Sequence, residues 1–361
     1  MKAFFRLKFS FLKFIFFIII WVFLTFLFCE YFIFYFQFAL FCDWPSPASF
    51  EAKKVLILSD IHLLGKIKGH WFDKLKREWQ MRHSFQTAIR MFKPEVVFIL
   101  GDIFDEGQWA QPENFKEDVL RFNHYFHVPA NVRLYVVAGN HDIGFHYRTR
   151  PILYNRFNHI MNTTTVDYFN LNKNIVVIRI NSIALENDGC SLCEDAQQKI
   201  KYLSQKITLN SPSKVIVLTH FPLYRPFESV CSHDEDSVAK DKNQIPNREG
   251  MDCLTQESSN LILQKLKPNL ILNGHVHYSC YRKRKIQDFR NVPILSEEYT
   301  VSSFNWRNRN SPSFLLLQID DKNHFIKRCY VPNEILVFLL YGTSFSVMFF
   351  IIGKRKKFKI G

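Results

Sequence analysis

The stretch from Val96 to Gly107, VVFILGDIFDEG, follows an apolar run directly with carboxylates. Its first five residues are apolar and three of them are β-branched, which predicts a strand covered on both faces. The run stops at Gly101 and Asp102, and Asp105 follows three residues later. One such ending fits a simple turn, because Gly and Asp favour turns. A shared site is the better explanation if other strands end in the same way.

Four further predicted strands do end in polar residues. The runs VLIL at 55, LYVVA at 134, VIVL at 215 and LIL at 270 lead into SDIH, GNHD, TH and NGHVH. Helix-length amphipathic segments lie between these runs, so the pattern indicates an α/β fold. In such a sheet the carboxyl ends of the strands meet where ligands bind. The residues expected together at this edge are Asp60, His62, Asp102, Asn140, His220, His275 and His277.

The chemistry of these seven side chains indicates a metal centre. Carboxylate, imidazole and amide oxygen ligands without a thiolate suit manganese, iron or zinc. Seven ligands are too many for one tetrahedral ion, so we expect two ions, with Asp102 placed to bridge them. Taken singly, Asp60 fits a helix cap, His220 a core imidazole and Asn140 a turn. The recurrence at five strand ends favours the metal centre.

Two apolar segments without charge clusters flank the globular pattern and predict transmembrane helices at 14–38 and 335–353. A cleaved signal peptide is the alternative for the first segment, but its Phe and Ile content favours an uncleaved anchor. Lys and Arg residues precede the first segment and follow the second. They predict cytosolic tails at 1–13 and 354–361, a luminal linker at 39–52 and a luminal domain at 53–334.

The net charge of +14 does not indicate a nucleic-acid partner, and we expect none. Nine of the basic residues lie in the two predicted tails, which leaves the luminal domain only mildly basic. The chain ends in KFKIG, where Lys357 and Lys359 resemble the dilysine retrieval signal of endoplasmic-reticulum membrane proteins. The alternative is a cluster of basic residues beside the membrane that carries no retrieval signal.

Six cysteines fall in the predicted luminal domain, where disulfides are expected. The CSLC sequence from Cys190 to Cys193 fits a redox pair, half a zinc site or a loop-closing disulfide, and the last is favoured because no second close pair accompanies it. Asn162 begins an NTT sequon and is a predicted glycosylation site. The six cysteines are Cys190, Cys193, Cys231, Cys253, Cys280 and Cys329.

At its strand ends the sequence resembles the calcineurin-like metallophosphoesterase superfamily. The motifs DIH at 60, GDIFD at 101, GNHD at 139, a lone His at 220 and GHVH at 274 occur in the order of that family's signature. The resemblance covers about residues 55–277. It implies an αββα sandwich with a dinuclear metal site at the sheet edge.

The same resemblance assigns roles to individual residues. It implies that Asp60, His62, Asp102 and His277 hold one ion, and that Asp102, Asn140, His220 and His275 hold the other. It also implies that His141 protonates the leaving oxygen, with Asp105 and Asp142 as supporting carboxylates.

A narrower resemblance rests on longer segments that include or adjoin the predicted metal residues. The segments at 62–81, 101–107, 139–147, 221–225 and 302–314, placed between two membrane spans, are similar to the metallophosphoesterases of GPI-anchor remodelling. This implies removal of the side-chain ethanolamine phosphate from the second mannose of the GPI glycan, with GPI-anchored proteins as substrates and manganese as the metal. It also implies a membrane protein of the endoplasmic reticulum, its exit sites and the early Golgi, with cargo receptors and a retrieval coat as partners.

Two other functions fit parts of this pattern. One is a membrane phosphodiesterase that acts on lipid headgroups or nucleotides, and the other is a non-catalytic scaffold for GPI-anchored cargo. The intact motif set, with His141, favours an enzyme. Guanidinium groups can pair with phosphate and Trp can face a sugar, with surface solvation as the alternative for the arginines. The expected substrate contacts are Arg148, Arg225, Trp306, Arg307 and Arg309.

Overall fold

The computed structural model describes residues 2–45, 52–186, 188–231, 236–238, 243–287 and 293–357. Two predicted features lie partly outside the described residues. They are residues 46–51 of the linker and residues 358–361 of the C-terminal tail, which include Lys359.

The described residues form strands and helices that alternate along most of the chain. The strands are β1 (Lys53–Leu58), β2 (Val96–Ile99), β3 (Arg133–Val136), β4 (Val166–Asn170), β5 (Ile175–Ile180), β6 (Lys214–Leu218), β7 (Leu270–Asn273), β8 (Cys280–Gln287), β9 (Pro293–Thr300), β10 (Ser313–Ile319) and β11 (His324–Tyr330). The helices are α1 (Lys2–Leu27), α2 (Ile33–Phe41), α3 (Trp71–Phe92), α4 (Pro112–Tyr125), α5 (Asn140–Ile143), α6 (Pro151–Met161), α7 (Ser191–Asn210), α8 (Gln256–Leu266) and α9 (Glu334–Lys357).

The strands form two mixed sheets. One has the order β11–β10–β1–β2–β3 and the other the order β4–β5–β6–β7–β9–β8. β1, β2 and β3 are parallel, as are β5, β6, β7 and β9, so each sheet has a parallel centre. The remaining strands pair antiparallel at the edges. The carboxyl ends of the parallel strands are therefore aligned within each sheet.

The two sheets pack face to face, and helices cover their outer faces. Val55 and Ile57 of β1 lie in one buried apolar cluster with Ile216 of β6, which belongs to the other sheet. Leu56 and Leu58 point the opposite way, into a second cluster that contains residues of the helices. This alternation follows from the two-residue period of a strand. The fold is thus the expected calcineurin-like αββα sandwich.

Both termini carry a helix long and apolar enough to cross a membrane, Leu12–Phe41 and Glu334–Lys354. The protein is therefore membrane-associated. The second helix agrees with the predicted span within a residue. The first extends three residues past the predicted end at 38. Glu30, inside this helix, accepts a 2.8 Å hydrogen bond from the Tyr341 hydroxyl of α9. Polar contacts between Thr25 and Ser344 also join the two helices.

The carboxyl end of the first span packs on the domain. Thirty residues of helix extend about 45 Å, which exceeds a bilayer core of about 30 Å. Phe38, which is fully buried, lies 5.3 Å from the ring of Phe314, and Phe34 lies 6.2 Å from that of Trp306. The span is thus continuous with the hydrophobic core of the domain.

Four of the six cysteines expected in the domain form disulfides. Cys190 is joined to Cys193, which agrees with the predicted loop closure, and Cys231 is joined to Cys280. The second bond ties the short helix at 228–231 to the start of β8.

Candidate metal centre

All seven predicted ligands lie just beyond the carboxyl ends of parallel strands. Asp60 and His62 follow β1, Asp102 follows β2 and Asn140 follows β3, all in the first sheet. The second sheet contributes its side chains from the loops after β6 and β7: His220, His275 and His277. The structure thus brings the seven residues together where the edges of the two sheets meet.

The loops that carry these ligands adopt an unusual backbone. Among the described residues, nine other than glycine have a positive φ, and five of them are predicted ligands. A left-handed conformation costs free energy for residues with a Cβ, so its concentration here indicates a functional constraint. The five values are 53° at Asp60, 48° at His62, 49° at Asp102, 74° at His275 and 63° at His277.

Gly101 allows the close approach of β2 to the His220 ring. Its φ is +94°, and a Cβ at this position would lie 2.5 Å from Nδ1 of His220. Only glycine fits both requirements. The Gly that the sequence shows before Asp102 therefore has a steric role as well as a conformational one.

The first group of ligands consists of Asp60, His62 and His277, whose ligand atoms lie within 4.8 Å of one another. Nε2 of His62 is 3.0 Å from Nε2 of His277, and Nε2 of His277 is 3.7 Å from Oδ1 of Asp60. Two imidazole nitrogens and a carboxylate that converge in this way match the ligand set implied for the first ion.

The second group consists of Asp102, His220 and His275, again within 4.8 Å, with Asn140 beside it. Nε2 of His220 is 3.3 Å from Oδ2 of Asp102 and 3.2 Å from the side-chain oxygen of Asn140. The same Asp102 oxygen is 3.6 Å from Nε2 of His62, which belongs to the first group. Asp102 therefore lies between the groups, where a bridging ligand is required.

Hydrogen bonds orient three of the histidines so that one nitrogen of each faces the centre. The opposite nitrogens are Nδ1 of His62, 3.1 Å from Asp105; Nδ1 of His220, 2.7 Å from the Leu100 carbonyl; and Nε2 of His275, 2.6 Å from the Met251 carbonyl. An acceptor at one ring nitrogen leaves the other with a free lone pair, as in metal-binding histidines. Nδ1 of His275 is buried and lacks a hydrogen-bond partner among the described residues. The side chains therefore fit a pair of divalent cations.

Burial keeps two of the predicted histidine ligands, His275 and His277, in the neutral form that binds metals. Burial and the charge of His220 lower the pKa of His275 to about 3. Burial and the neighbouring His62 lower the pKa of His277 well below its usual range. A neutral imidazole retains the lone pair that a cation needs.

His141 lies beside the ligands without belonging to either three-residue group assigned above to an ion. Its Nδ1 is 3.0 Å from the Asp105 carbonyl and 3.3 Å from the carboxylate of the same residue. Its side chain is 27% exposed, so a substrate can reach it. Burial alone would lower the pKa of His141, but the hydrogen bond to Asp105 and the charge of Asp102 raise it to about 9. Cations bound at the centre would lower the pKa of His141.

The two supporting carboxylates hold different parts of the centre. Asp105 contacts both His62 and His141, whose hydrogen bonds keep the pKa of its carboxyl low despite burial. Asp142 accepts 2.9 Å hydrogen bonds from the backbone amides of Phe104 and Gly139. Asp105 thus orients a ligand and the predicted acid, whereas Asp142 joins the loops after β2 and β3.

Two of the predicted substrate contacts lie near the centre. A guanidinium nitrogen of Arg307 is 3.8 Å from Oδ2 of Asp105. Arg148 is exposed and lines a cleft of about 700 Å³ with Arg150, Trp109 and Tyr147. The cleft adjoins the centre, because its lining residue Gln108 donates a 3.0 Å hydrogen bond to the His141 carbonyl.

The structure contradicts two of the expected substrate contacts, Arg225 and Trp306, and engages a third, Arg309, in an ion pair. Arg225 is fully buried and donates a 2.7 Å hydrogen bond to Glu228. Trp306 is buried, donates to the Pro332 carbonyl and packs against Phe34. Arg309 pairs with Asp236 and lies over the Tyr278 ring. Arg225 and Trp306 therefore do not present a surface to substrate, whereas the Arg309 side chain is 19% exposed.

Residues after β9 also hold the centre, and the sequence did not single out this role. Ser303 donates a 2.7 Å hydrogen bond to the Asp60 carbonyl, and Asn305 donates 2.6 Å to that of Ile61. The polar sequence SSFN at 302–305, directly after a strand, is the signal that could have indicated them. The hydroxyl of Ser59 contacts the Asp60 carboxylate directly, at 2.6 Å.

Comparisons with known proteins found a family model, curated relatives and a solved structure that are similar to this chain. A model of the family described as calcineurin-like phosphoesterase matches residues 53–279. A protein named metallophosphoesterase 1 from Ailuropoda melanoleuca is 40% identical over 92% of this chain and 87% of its own length. The Gallus gallus protein of the same name is 39% identical over 89% of this chain and 85% of its own. A solved dimetal phosphatase from Danio rerio aligns with 78% of this chain and 99% of its own, at 12% identity and a TM-score of 0.45.

Proposed function

The chain belongs to the calcineurin-like phosphoesterase family and is a metal-dependent phosphoester hydrolase, and we propose that it removes ethanolamine phosphate from the glycan of GPI anchors. In this proposal the bond cleaved is the phosphodiester that links ethanolamine phosphate to the second mannose. The metal is manganese, and GPI-anchored proteins are the substrates.

The observation that supports the chemistry best is the orientation of three histidines around Asp102. His62, His220 and His275 each have one nitrogen engaged by an acceptor and the other directed to the centre. Two divalent cations bound there would supply Lewis-acid chemistry, which activates water and neutralises charge on a phosphoryl group. The ligands would be Asp60, His62, Asp102, Asn140, His220, His275 and His277.

The chain's own residues have two further tasks in the reaction. His141, held by Asp105, is placed to donate a proton to the oxygen that leaves phosphorus. Arg148 and Arg150, in the cleft beside the centre, can pair with phosphate oxygens, and Trp109 and Tyr147 can face sugar rings. The cleft therefore suits a phosphorylated glycan better than a small phosphate ester.

The membrane helices and their basic flanks support the location that we propose. The domain faces the lumen of the endoplasmic reticulum and early Golgi, where GPI-anchored proteins pass. Lys357 and Lys359 act as a retrieval signal for a coat, and cargo receptors take up the remodelled proteins. Removal of ethanolamine phosphate then promotes export of the substrate from the endoplasmic reticulum, including through its exit sites.

Cells that lack the protein test this proposal. GPI-anchored proteins should leave the endoplasmic reticulum slowly, and mass spectrometry should find an extra ethanolamine phosphate on their anchors. Re-expression of the wild-type chain should reverse both effects. An unchanged glycan mass, with accumulation of a lipid or nucleotide phosphodiester, would support the alternative membrane phosphodiesterase.

Asn162 provides a separate test of the luminal orientation. The residue is exposed at the end of α6, so a luminal oligosaccharyltransferase could reach it. We expect an endoglycosidase to lower the apparent mass of the wild-type chain, and Asn162→Gln to remove this shift. A cytosolic epitope at the C-terminus should be digested by protease added to sealed microsomes. Protection of that epitope would contradict the topology.

A further inference from the structure

A surface beside the metal centre exposes four large apolar side chains. Ile67, Trp71, Phe72 and Leu75 are 70%, 69%, 56% and 60% exposed, and we call them the docking patch. The last three lie in the first turns of α3, and Ile67 lies in the loop before it. Clusters of this kind on a protein surface indicate a partner.

Helix α3 contacts both membrane helices. Lys76 is 2.6 Å and Arg77 2.7 Å from the Glu334 carboxylate at the start of α9. Lys76 also lies 4.4 Å from the centre of the Phe338 ring, one turn further into α9. Near the first span, the ring of Trp79 is 5.0 Å from that of Tyr31. α3 therefore crosses the domain ends of both spans, at the level of the membrane surface.

The docking patch continues this line of contacts. Phe72 lies one turn before Lys76 on the same face of α3, about 6 Å along the axis. Trp71 and Leu75 extend the apolar surface to one side of Phe72. Lys76 follows Phe72 on this face and lies over the Phe338 ring of α9, and residues of this type extend along apolar surfaces with their charge in water or at lipid phosphates. Aromatic side chains beside lysines are typical of a membrane interface.

The docking patch is also tied to the metal centre. The backbone amide of Ile67 donates a 2.9 Å hydrogen bond to Glu106, the residue after Asp105. Asp73 is 3.6 Å from Arg307, which in turn is 3.8 Å from Asp105. Asp105 contacts both His62 and His141. A change in the position of the patch would therefore shift the residues at the entrance of the metal centre.

We propose that the docking patch inserts into the interfacial layer of the bilayer and holds the mouth of the metal centre against the headgroups. The bilayer is the occupant that the structure favours, because the patch is continuous with the contacts of the two spans. A substrate anchored in the same leaflet would then meet the centre without leaving the membrane. This inference concerns membrane contact and does not require the GPI glycan as substrate.

Fluorescence quenching tests the insertion directly. The full-length chain carrying Phe72→Trp is placed in phosphatidylcholine nanodiscs with or without bromine near the top of the acyl chains. The emission added by this substitution, relative to the wild-type chain, should be quenched by the brominated lipid. Tyr202→Trp is the matched control, since Tyr202 is 59% exposed on α7, which packs on α8 and β4. Equal quenching at both positions, or none at position 72, would overturn the proposal.

Activity in proteoliposomes tests whether the docking patch speeds the reaction with a substrate in the same bilayer. This experiment rests on the proposed function. Phe72→Glu with Leu75→Glu should lower the rate on a GPI-anchored protein in the same bilayer about tenfold, because the substrate loses its alignment with the centre. The rate on bis(p-nitrophenyl) phosphate, which is soluble, should change less than about twofold. Tyr202→Glu with Leu209→Glu, at 59% and 84% exposure, should change neither rate.

The outcomes separate the two proposals. An equal loss on both substrates would show that the patch supports folding of the centre, and it would overturn the docking proposal. If the wild-type chain leaves the GPI glycan intact but position 72 is quenched, the proposed function fails and the docking patch stands.

Discussion

Asp102→Asn is expected to abolish phosphodiesterase activity and to lower the metal content of the purified protein. Oδ2 of Asp102 lies 3.3 Å from Nε2 of His220 and 3.6 Å from Nε2 of His62, so one carboxylate serves both ligand groups. An amide there provides one neutral oxygen in place of a shared negative charge. Loss of a bridging ligand should lower kcat at least about 1000-fold, or about 4 kcal/mol in transition-state free energy.

Metal analysis and kinetics on the same preparation check this expectation. The wild-type protein should hold two divalent ions per chain, and the variant fewer. Asp167→Asn is a matched control, because that carboxylate pairs with Arg179 at 2.7 Å and is placed on β4, in the second sheet. It should keep both the metal and the activity. Full activity of Asp102→Asn with two bound ions would contradict the proposal that Asp102 is needed to hold two ions.

His141→Ala is expected to retain the metal and to lose turnover. The side chain is 3.3 Å from Asp105 and lies outside the ligand groups formed by Asp60, His62 and His277 and by Asp102, His220 and His275. General acid catalysis contributes about 100- to 10,000-fold, so we expect a loss of kcat in that range for an alcohol leaving group. The loss should be much smaller for p-nitrophenolate, which leaves without a proton.

Comparison of the two leaving groups separates a proton donor from a structural residue. His159→Ala is the control, since His159 is exposed on α6 and should tolerate the change. An equal loss of His141→Ala on both substrates, with normal metal content, would mean that His141 positions the substrate or the loop and does not donate the proton.

The strands that carry the centre could be predicted from sequence because their signals are local. A short β-branched run followed by Gly-Asp or Gly-Asn identifies both the strand and its functional end, as at β2 and β3. β8 was not predicted, since its sequence CYRKRKIQ is dominated by charge. Its pairing with β9 depends on residues such as Glu298, whose carboxylate lies 2.6 Å from Arg284. The two-sheet sandwich came from the family resemblance and not from periodicity.

The substrate contacts were the least predictable part of the site. Arg148 and Arg225 have the same chemistry in the sequence, yet one lines a cleft and the other is fully buried. Arg225 is buried because it pairs with Glu228 and the surrounding fold covers this ion pair. Trp306 was misassigned for the same reason, since the Pro332 carbonyl that accepts its N–H is distant in sequence.

The most direct test uses the purified full-length chain, manganese and a GPI-anchored protein that carries ethanolamine phosphate on its second mannose. Mass spectrometry of the released glycan should show loss of that group with the wild-type chain and no loss with Asp102→Asn. An unchanged glycan, from a preparation that holds two ions and hydrolyses a lipid-headgroup or nucleotide diester, would contradict the proposed function.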